Sequence, residues 1–468
     1  MNGERIIYVY ADFLPYDKQL IGELYASMAR GKEFYSFEYD EKWLEQSTTF
    51  IDPDLQLYNG RQYVNNDKNI FGVFADSCPD RWGRLLMKRR EAIRARKTDE
   101  KPRKLVESDY LLGVYDKARM GGLRFKTNPE EEFLSDDKEL ATPPWTSLRQ
   151  LEQASILFEN DDSGLEEKWL RQLIAPGSSL GGARPKASVM APDGALWIAK
   201  FPSKHDEFNS GAWEMVVHEL AKMCGLNVPE AKLEKFSKTG STFLVKRFDR
   251  DGEQRIHFSS AMTMLGKKDG AGSIDGSSYL EIASFLRANG AKAKEDLAEL
   301  WRRIVFSMAV SNTDDHFRNH GFILTEDGWR LSPMYDVNPD IYGENLSLNV
   351  DEYDSSIDFN LAIEASSYYG LSSKEAEDPP YPHPLSVQAS ETVLILQLIF
   401  LFPSSVHRHI TDILYQKEFF RLRCGAVRYI PYLSGLTSHS GWWQSLHLNL
   451  QTWKWSGNPP VRLFPCRF

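Results

Sequence analysis

The sequence predicts an α+β protein: a mixed α/β amino-terminal part, a mainly helical half, and a carboxy-terminal tail of different character. Three observations carry this. Short apolar runs such as Arg5–Phe13, bounded by turn residues, alternate in the manner of half-buried strands. From about Ala261 to Val310, apolar residues instead recur at three- and four-residue steps, the spacing of helices buried along one face. Beyond residue 377 the composition shifts: 378–468 hold eight basic and four acidic side chains, about 13% charged, against 26% for the whole chain.

Length and charge narrow the function. A chain of 468 residues accommodates two to four units at about 150 residues each. With 42% hydrophobic residues it can bury sizeable cores, which excludes a wholly disordered chain. A net charge of -10 repels phosphate backbones, so direct nucleic-acid binding is disfavoured as the main activity, although a local nucleotide site is not. Four cysteines without a Cys-x-x-Cys pair argue against a structural zinc site or a disulfide framework and fit a reducing compartment. No signal-peptide pattern opens the sequence, and Val393–Phe402 is too short to span a bilayer, so the expected location is cytoplasmic with no membrane partner.

Taken in order, Arg5–Phe13 reads as a strand. Ser77-Cys78-Pro79-Asp80 reads as the capping stretch of an exposed basic helix, Arg81–Lys97. Gly113–Phe125 reads as a further strand, and Leu105–Asn160, acidic and Pro-rich in part, as a surface excursion or linker. A Gly/Ser loop, Gly177–Gly182, precedes a predicted strand Ala187–Met190, a Pro-Asp-Gly turn and a second strand Ala195–Phe201. Next comes a helix whose expected apolar face is Ala212, Met215, Val216, Leu220 and Met223. The strand Phe243–Arg250 leads into the helical half. There, Gly321–Leu324, Asp327-Gly328 and Trp329–Ser332 read as strand, turn and strand.

Chemistry concentrates in two places. In the segment 312–339, a polar loop bears Asp314, Asp315, His316 and Asn319, and the hairpin after it returns Asp336 beside that loop. One Asp can accept a hydroxyl proton, while an Asn five residues on and a second Asp can hold magnesium, an arrangement suited to phosphoryl transfer. Any one of these residues alone is better read as a helix cap or turn; the whole set in helix–loop–hairpin context is not. In 176–203, backbone amides of the Gly/Ser loop, including Ser179, Gly181 and Gly182, can cradle phosphates, and strand-borne Lys200 can reach them. The Walker A pattern is absent. Glu214, near the start of the following helix, can pair with Lys200 or simply face solvent. Phe248, after Lys246, is a candidate ring contact, with a core Phe as the ordinary alternative.

The motifs SSLGGARPKA, WIAKFPS, the Trp-Glu helix, VKRFDR, NTDDHFRNH and SPMYDVNP, in that order, resemble HipA-type serine/threonine kinases, the toxin components of bacterial HipBA toxin–antitoxin systems. The resemblance covers roughly residues 5–377. It implies a bilobed kinase fold with ATP and Mg2+ as cofactors: 1–125 as the amino-terminal subdomain, 126–249 as the kinase N-lobe, 250–377 as the helical C-lobe, and 378–468 as an atypical tail. It implies Asp314 as catalytic base with His316 beside it, Asn319 and Asp336 as metal ligands, and Lys200 on the ATP phosphates. Ser179 takes the place of an autophosphorylated loop serine, and Phe248 with the Lys246 backbone that of an adenine-contacting hinge, where Lys246 replaces the family's usual acid. The implied partners are a DNA-binding HipB-type antitoxin and a protein substrate, for instance an aminoacyl-tRNA synthetase. Rich in Trp, His and Pro, the tail departs from the family pattern and resembles an out-of-frame translation, with a genuine extension as the alternative. An impaired pseudokinase that binds antitoxin or nucleotide without turnover is the alternative activity.

Overall fold

The computed structural model describes residues 4–377, apart from 66–67, 135–141, 341–342 and 161–183 other than Leu170, Leu173 and Gly182. The tail reading for 378–468 lies outside the described residues.

Strands β1 (Arg5–Phe13), β2 (Tyr16–Ala29) and β3 (Lys32–Tyr39) form an antiparallel meander. Along β1 the burial alternates, with Ile7, Val9, Ala11 and Phe13 inward, as a half-buried strand requires. Helix α1 (Glu41–Gln46) follows, then the short strand β4 (Gln62–Tyr63). After α2 (Gly72–Asp76) comes the basic helix α3 (Arg81–Lys97), capped by Asp80, whose Oδ1 accepts from the Gly83 amide at 2.9 Å. The helix is not exposed all round as expected, because Trp82, Leu86 and Met87 on one face enter the apolar cluster while the basic residues lie outside it. Helix α4 (Glu107–Leu112) and strand β5 (Leu123–Lys126) complete a five-stranded sheet in the order β4-β3-β2-β1-β5.

Two expectations change here. Gly113–Phe125 is mostly not a strand: Asp116–Ala118 make a 3-10 turn, and only β5 pairs. Buried Asp116 draws that turn inward, where its carboxylate binds Arg124 and Arg255. Nor is Leu105–Asn160 a surface excursion. Its helix α5 (Leu148–Glu159) buries Leu148, Leu151 and Ala154 in the same apolar cluster as Ile7, Phe37 and Phe125. The polar bias of the segment describes its loops and hides the apolar stripe of α5.

A second sheet is built from β6 (Lys186–Met190), β7 (Leu196–Lys200), α6 (Ser210–Met223), β8 (Ala231–Glu234) and β9 (Thr242–Lys246), its strands ordered β6-β7-β9-β8. Its Val189, Trp197 and Leu244 lie in the cluster shared with the first sheet. Helix α6 turns inward only part of the expected face, Ala212 and Val216, and adds residues beside it. Gly211, Ala212, Glu214, Val216, Val217 and Ala221 are buried, whereas Met223 is exposed. The helix packs on two partners at once. The sheet takes the Gly211–Glu214 side, and Phe306 and Met334 take Val217 and Ala221.

The remaining part begins with a ribbon of β10 (Arg250–Asp251) and β11 (Gln254–Arg255), then β12 (Phe258–Ser260) and α7 (Ala261–Met264). Helix α8 (Tyr279–Asn289) starts with a Ser278/Glu281 capping box, and α9 (Ala293–Ala309) buries Leu297, Leu300, Trp301, Ile304 and Val305 along one side. Both helices form where the periodicity places them. The expected hairpin is β13 (Gly321–Thr325) and β14 (Gly328–Leu331), with Gly328 at φ 129°; β12 joins it as a third strand. Helices α10 (Phe359–Glu364) and α11 (Ser373–Glu377) close the described chain.

Candidate active site

The loop after α9 is pinned by main-chain bonds. The Asn312 amide donates to Ser307 O (2.8 Å), the Asp340 amide to Ser311 O (2.8 Å), and the Asn338 amide to Asn312 Oδ1 (3.2 Å). Residues 311–313 therefore run beside 338–340, and the segment carrying Asp336 is held against the segment carrying Asp314. Asp336 adopts the left-handed region at φ 57°, which an Asp tolerates better than most residues and which is a common mark of a site.

The adjacent carboxylates Asp314 and Asp315 diverge. Asp315 is buried; its Oδ2 accepts from Tyr279 Oη (2.8 Å) and Ser307 Oγ (3.2 Å), and its Oδ1 lies 3.0 Å from His320 Nε2. Burial alone would raise its pKa, but His320, Tyr279 and Ser307 hold it below the usual carboxylate range. Asp314 projects outward, with 84% of its side chain exposed and its Oδ1 3.8 Å from His316 Nε2. Its pKa is raised. Partial desolvation is the largest push, opposed by His316, and the like charges of Asp336 and Asp315 add to it. Asn319 donates from Nδ2 to the Asp314 carbonyl at 2.7 Å, while its buried Oδ1 has no partner.

Across from this loop, Lys200 stands at the end of β7. Its ammonium contacts Glu214 Oε1 at 2.5 Å and Asp336 Oδ1 at 2.6 Å; Lys200 and Glu214 are buried and Asp336 is half-buried. Burial would lower the lysine pKa, but Asp336 and Glu214 raise it above its ordinary value. Burial raises Glu214, whereas Lys200, and after it Lys186, hold Asp336 below the usual range against burial. The solvated alternative for Glu214 is thereby excluded, since α6 turns it into the sheet.

These residues floor a cleft of about 650 Å³ whose walls are largely apolar: Ile198, Phe243, Val245, Met334 and Val337. Phe248 and Lys246 line it too. Phe248 is half-buried, its ring 5.8 Å from that of Tyr335, whose hydroxyl donates to the Arg318 carbonyl at 2.8 Å. The Lys246 amide donates to the Glu230 carbonyl at 2.8 Å, so a ligand edge at this point would have to use the Lys246 carbonyl instead. Gly182 takes φ 79°; Ser179 and Gly181 lie outside the described residues.

Sequence reasoning missed Arg247, Asp249, Tyr335 and His218. Arg247 and Asp249 are essentially unexposed and paired through Arg247 Nε–Asp249 Oδ1 at 2.8 Å, and the guanidinium also donates to the carbonyls of Ala118 (2.5 Å) and Arg119 (3.1 Å). Arg247 and Asp249 lie in the VKRFDR motif, from which only Lys246 and Phe248 are expected at the site; its alternating charge also describes an ordinary surface turn.

Among the described residues no group of three or more His, Cys, Asp and Glu side chains is placed to hold a metal. Magnesium needs no such cage when phosphate oxygens complete its shell. The unpartnered Asn319 Oδ1 and the Asp336 carboxylate are hard oxygen donors of the kind it takes, so the residues fit it.

A mixed α/β amino-terminal region, a sheet bearing a Lys–Glu pair, and a helical part bearing an Asp/Asn/Asp set define a HipA-like architecture. Residues 15–102 match the HipA N-terminal domain model and 178–378 the HipA-like C-terminal domain model; the chain belongs to the HipA family. A Haemophilus influenzae protein named "Putative kinase" is 28% identical over 194 residues, 36% of this chain and 56% of that one. The "Serine/threonine-protein kinase toxin HipA" of Shewanella oneidensis is 26% identical over 247 residues, 45% of this chain and 54% of that one. The chain spans about half the length of the curated relatives it matches. In fold it is similar to HipA in the Shewanella oneidensis complex of HipA, HipB and operator DNA, with a TM-score of 0.59, 19% identity, and coverage of 88% of this chain and 96% of that one. No helix among the described residues is long and apolar enough to cross a membrane.

Proposed function

We propose that this chain is an ATP-dependent protein serine/threonine kinase and the toxin of a toxin–antitoxin pair. The observation that carries the reading is the Lys200 ammonium held between Glu214 and Asp336 beneath the cleft, opposite exposed Asp314. Lys200 would contact the nucleotide phosphates, with Glu214 fixing its position. The apolar walls and Phe248 would take the purine, and the Lys246 carbonyl would accept from its edge. Asp314 would accept the proton of the attacking Ser or Thr hydroxyl, its raised pKa making it the better base of the two neighbouring carboxylates. Asp336 and Asn319 Oδ1 would hold magnesium, which when bound neutralises charge on the transferring phosphate.

In this reading, 1–125 form an amino-terminal subdomain, 126–249 carry the nucleotide-facing sheet, 250–377 carry the catalytic loop, and the protein acts in the cytoplasm. Ser179 is the proposed autophosphorylation site: a phosphate there adds about −1.5 to −2 charges and would repel those of ATP. The Shewanella structure pairs HipA with HipB and DNA, which supports a HipB-type antitoxin as this chain's partner. The protein substrate would be an aminoacyl-tRNA synthetase or another protein with an accessible hydroxyl.

The test is incubation of wild type, Asp314→Ala and Asp336→Ala with γ-labelled ATP and Mg2+. Label on wild-type protein alone supports the assignments, and equal labelling of all three would sink them. Nucleotide binding by wild type without any labelling would point to the pseudokinase.

A further inference from the structure

Two asparagines in the motifs of the site, Asn312 of NTDDHFRNH and Asn338 of SPMYDVNP, have no part in the chemistry above. The fold brings them together. Asn312 follows α9 and is only 1% exposed; its amide donates to the Ser307 carbonyl at 2.8 Å and its Nδ2 to Ser307 Oγ at 3.2 Å. Its Oδ1 accepts from the Asn338 amide at 3.2 Å. Two residues further on, Asp340 continues the same clasp: its amide donates to the Ser311 carbonyl, and Thr313 Oγ1 donates to its Oδ2 at 3.1 Å. With its main chain fixed in this way, Asn338 turns its side chain back onto Asp336, and Nδ2 donates to Asp336 Oδ1 at 3.3 Å. The amide has to present its NH2 there, because its oxygen would meet a carboxylate oxygen with no proton between them. Lys200 Nζ reaches the same Oδ1 at 2.6 Å. Among the described residues, both hydrogen bonds to this carboxylate fall on Oδ1 and none on Oδ2.

We propose that Asn338 is a positioning residue for the metal site: held in place by Asn312, it fixes the Asp336 carboxylate so that Oδ1 is engaged within the protein and Oδ2 is kept for the metal. This rests on the kinase reading above. The physical argument is rotation about one bond. A carboxylate held at a single point can swivel, and an ammonium with three donors can follow it and take both oxygens. Lys200 alone would permit this. A second donor on Oδ1, arriving from a different part of the chain, removes that freedom. The backbone needs the same support. Asp336 sits at φ 57°, a conformation that persists only where the surrounding structure holds it, and the Asn312–Asn338 bond does so two residues downstream. Asn319 is built on the same plan: Nδ2 is tied to the Asp314 carbonyl, and Oδ1 has no partner. Each proposed metal ligand therefore has one side-chain atom anchored in the protein and one oxygen left for the ion.

Asn338→Leu has nearly the shape of the native side chain, keeps the main-chain bond to Asn312 and removes only the side-chain donor. Asn338→Ala removes the same donor and guards against a variant that misfolds. Binding of a fluorescent ATP analogue is titrated with Mg2+ in wild type, the two Asn338 variants, Asp336→Asn, and Asn338→Leu combined with Asp336→Asn. The expected result is a rise of about tenfold in half-saturating Mg2+ for Asn338→Leu and Asn338→Ala, as for other residues that orient metal ligands from behind. Analogue binding in the absence of Mg2+ should stay that of wild type, which a merely structural role would not allow. In the Asp336→Asn background, Asn338→Leu should add nothing, because the carboxylate it orients is gone. An unchanged Mg2+ requirement in both Asn338 variants, weaker analogue binding without metal, or an equal shift in both backgrounds would overturn the proposal. So would a wild type whose binding ignores Mg2+. The labelling assay on wild type judges the kinase reading separately: analogue binding without labelling removes the kinase and leaves the Asn338 comparison decisive. A wild type that binds no analogue at any Mg2+ concentration overturns both.

Discussion

Two neighbouring aspartates do opposite work. Asp315 is the structural one: Tyr279, Ser307 and His320 converge on it from α8, α9 and the start of β13. Asp315→Asn would leave those donors imperfectly matched, at a cost of about 1–3 kcal/mol in urea unfolding at pH 7. The pH dependence follows from its depressed pKa. The stabilisation is fully present above the unfolded carboxylate value of about 3.9 and is lost as pH falls through the lower folded value. Wild type and Asp315→Asn should therefore differ at neutral pH and converge in acid; a gap that persists below that range would show that charge is not the cause. Asp314→Asn should leave stability within about 0.5 kcal/mol, because the side chain is exposed, while abolishing labelling.

Among the elements, α6 sets the geometry of the Lys200 cluster by being squeezed between a sheet and α9. Gly211 is where it touches the sheet: a Cβ there would stand 2.1 Å from the Ser241 carbonyl oxygen. In an exposed helix Gly→Ala gains up to about 1 kcal/mol. Here overlap with main chain outweighs that gain, so Gly211→Ala should destabilise by about 1–3 kcal/mol and move Glu214 away from Lys200. Thermal melting and nucleotide affinity should both fall. A more stable Gly211→Ala protein with unchanged affinity would show that α6 has room to spare. The apolar pattern alone could not reveal this face, because Glu214 and Gly211 interrupt it and Met223 extends it falsely.

At the scale of the whole described chain, the segment after β9 is tied to the amino-terminal region by the buried Arg247–Asp249 pair. Asp249 also accepts from Arg250 (2.6 Å) and the Gly121 amide (2.8 Å), and is held far below the usual carboxylate range: burial opposes this, and Arg247 and Arg250 overcome it. Arg247→Met would remove one partner of a buried ion pair and unhook the carbonyls of Ala118 and Arg119, at a cost of about 3–5 kcal/mol. Because the two larger sheets share one apolar cluster, unfolding followed by tryptophan fluorescence should remain a single transition at lower urea. A separate early transition would mean that the amino-terminal region folds independently.

By itself the sequence determined whatever short-range signals encode. Asp80 before a basic run caps α3, three- and four-residue apolar spacing places α8, Pro192-Asp193-Gly194 turns β6 into β7, and Gly328 closes the β13–β14 hairpin. The loop of Asp314, His316 and Asn319 and its hairpin to Asp336 were legible for the same reason: one continuous segment forms them. Only the tertiary structure decided which residues meet across long separations. The burial of α5, the inward face of α6, the pairing of Lys200 with Asp336 and the clasp of Arg247 on residues 118–119 each depend on surfaces far apart in sequence. Periodicity reports that a helix has an apolar side, but which of its polar residues are drawn inward depends on the charge or carbonyl waiting there, and that is set by the packing of the other elements.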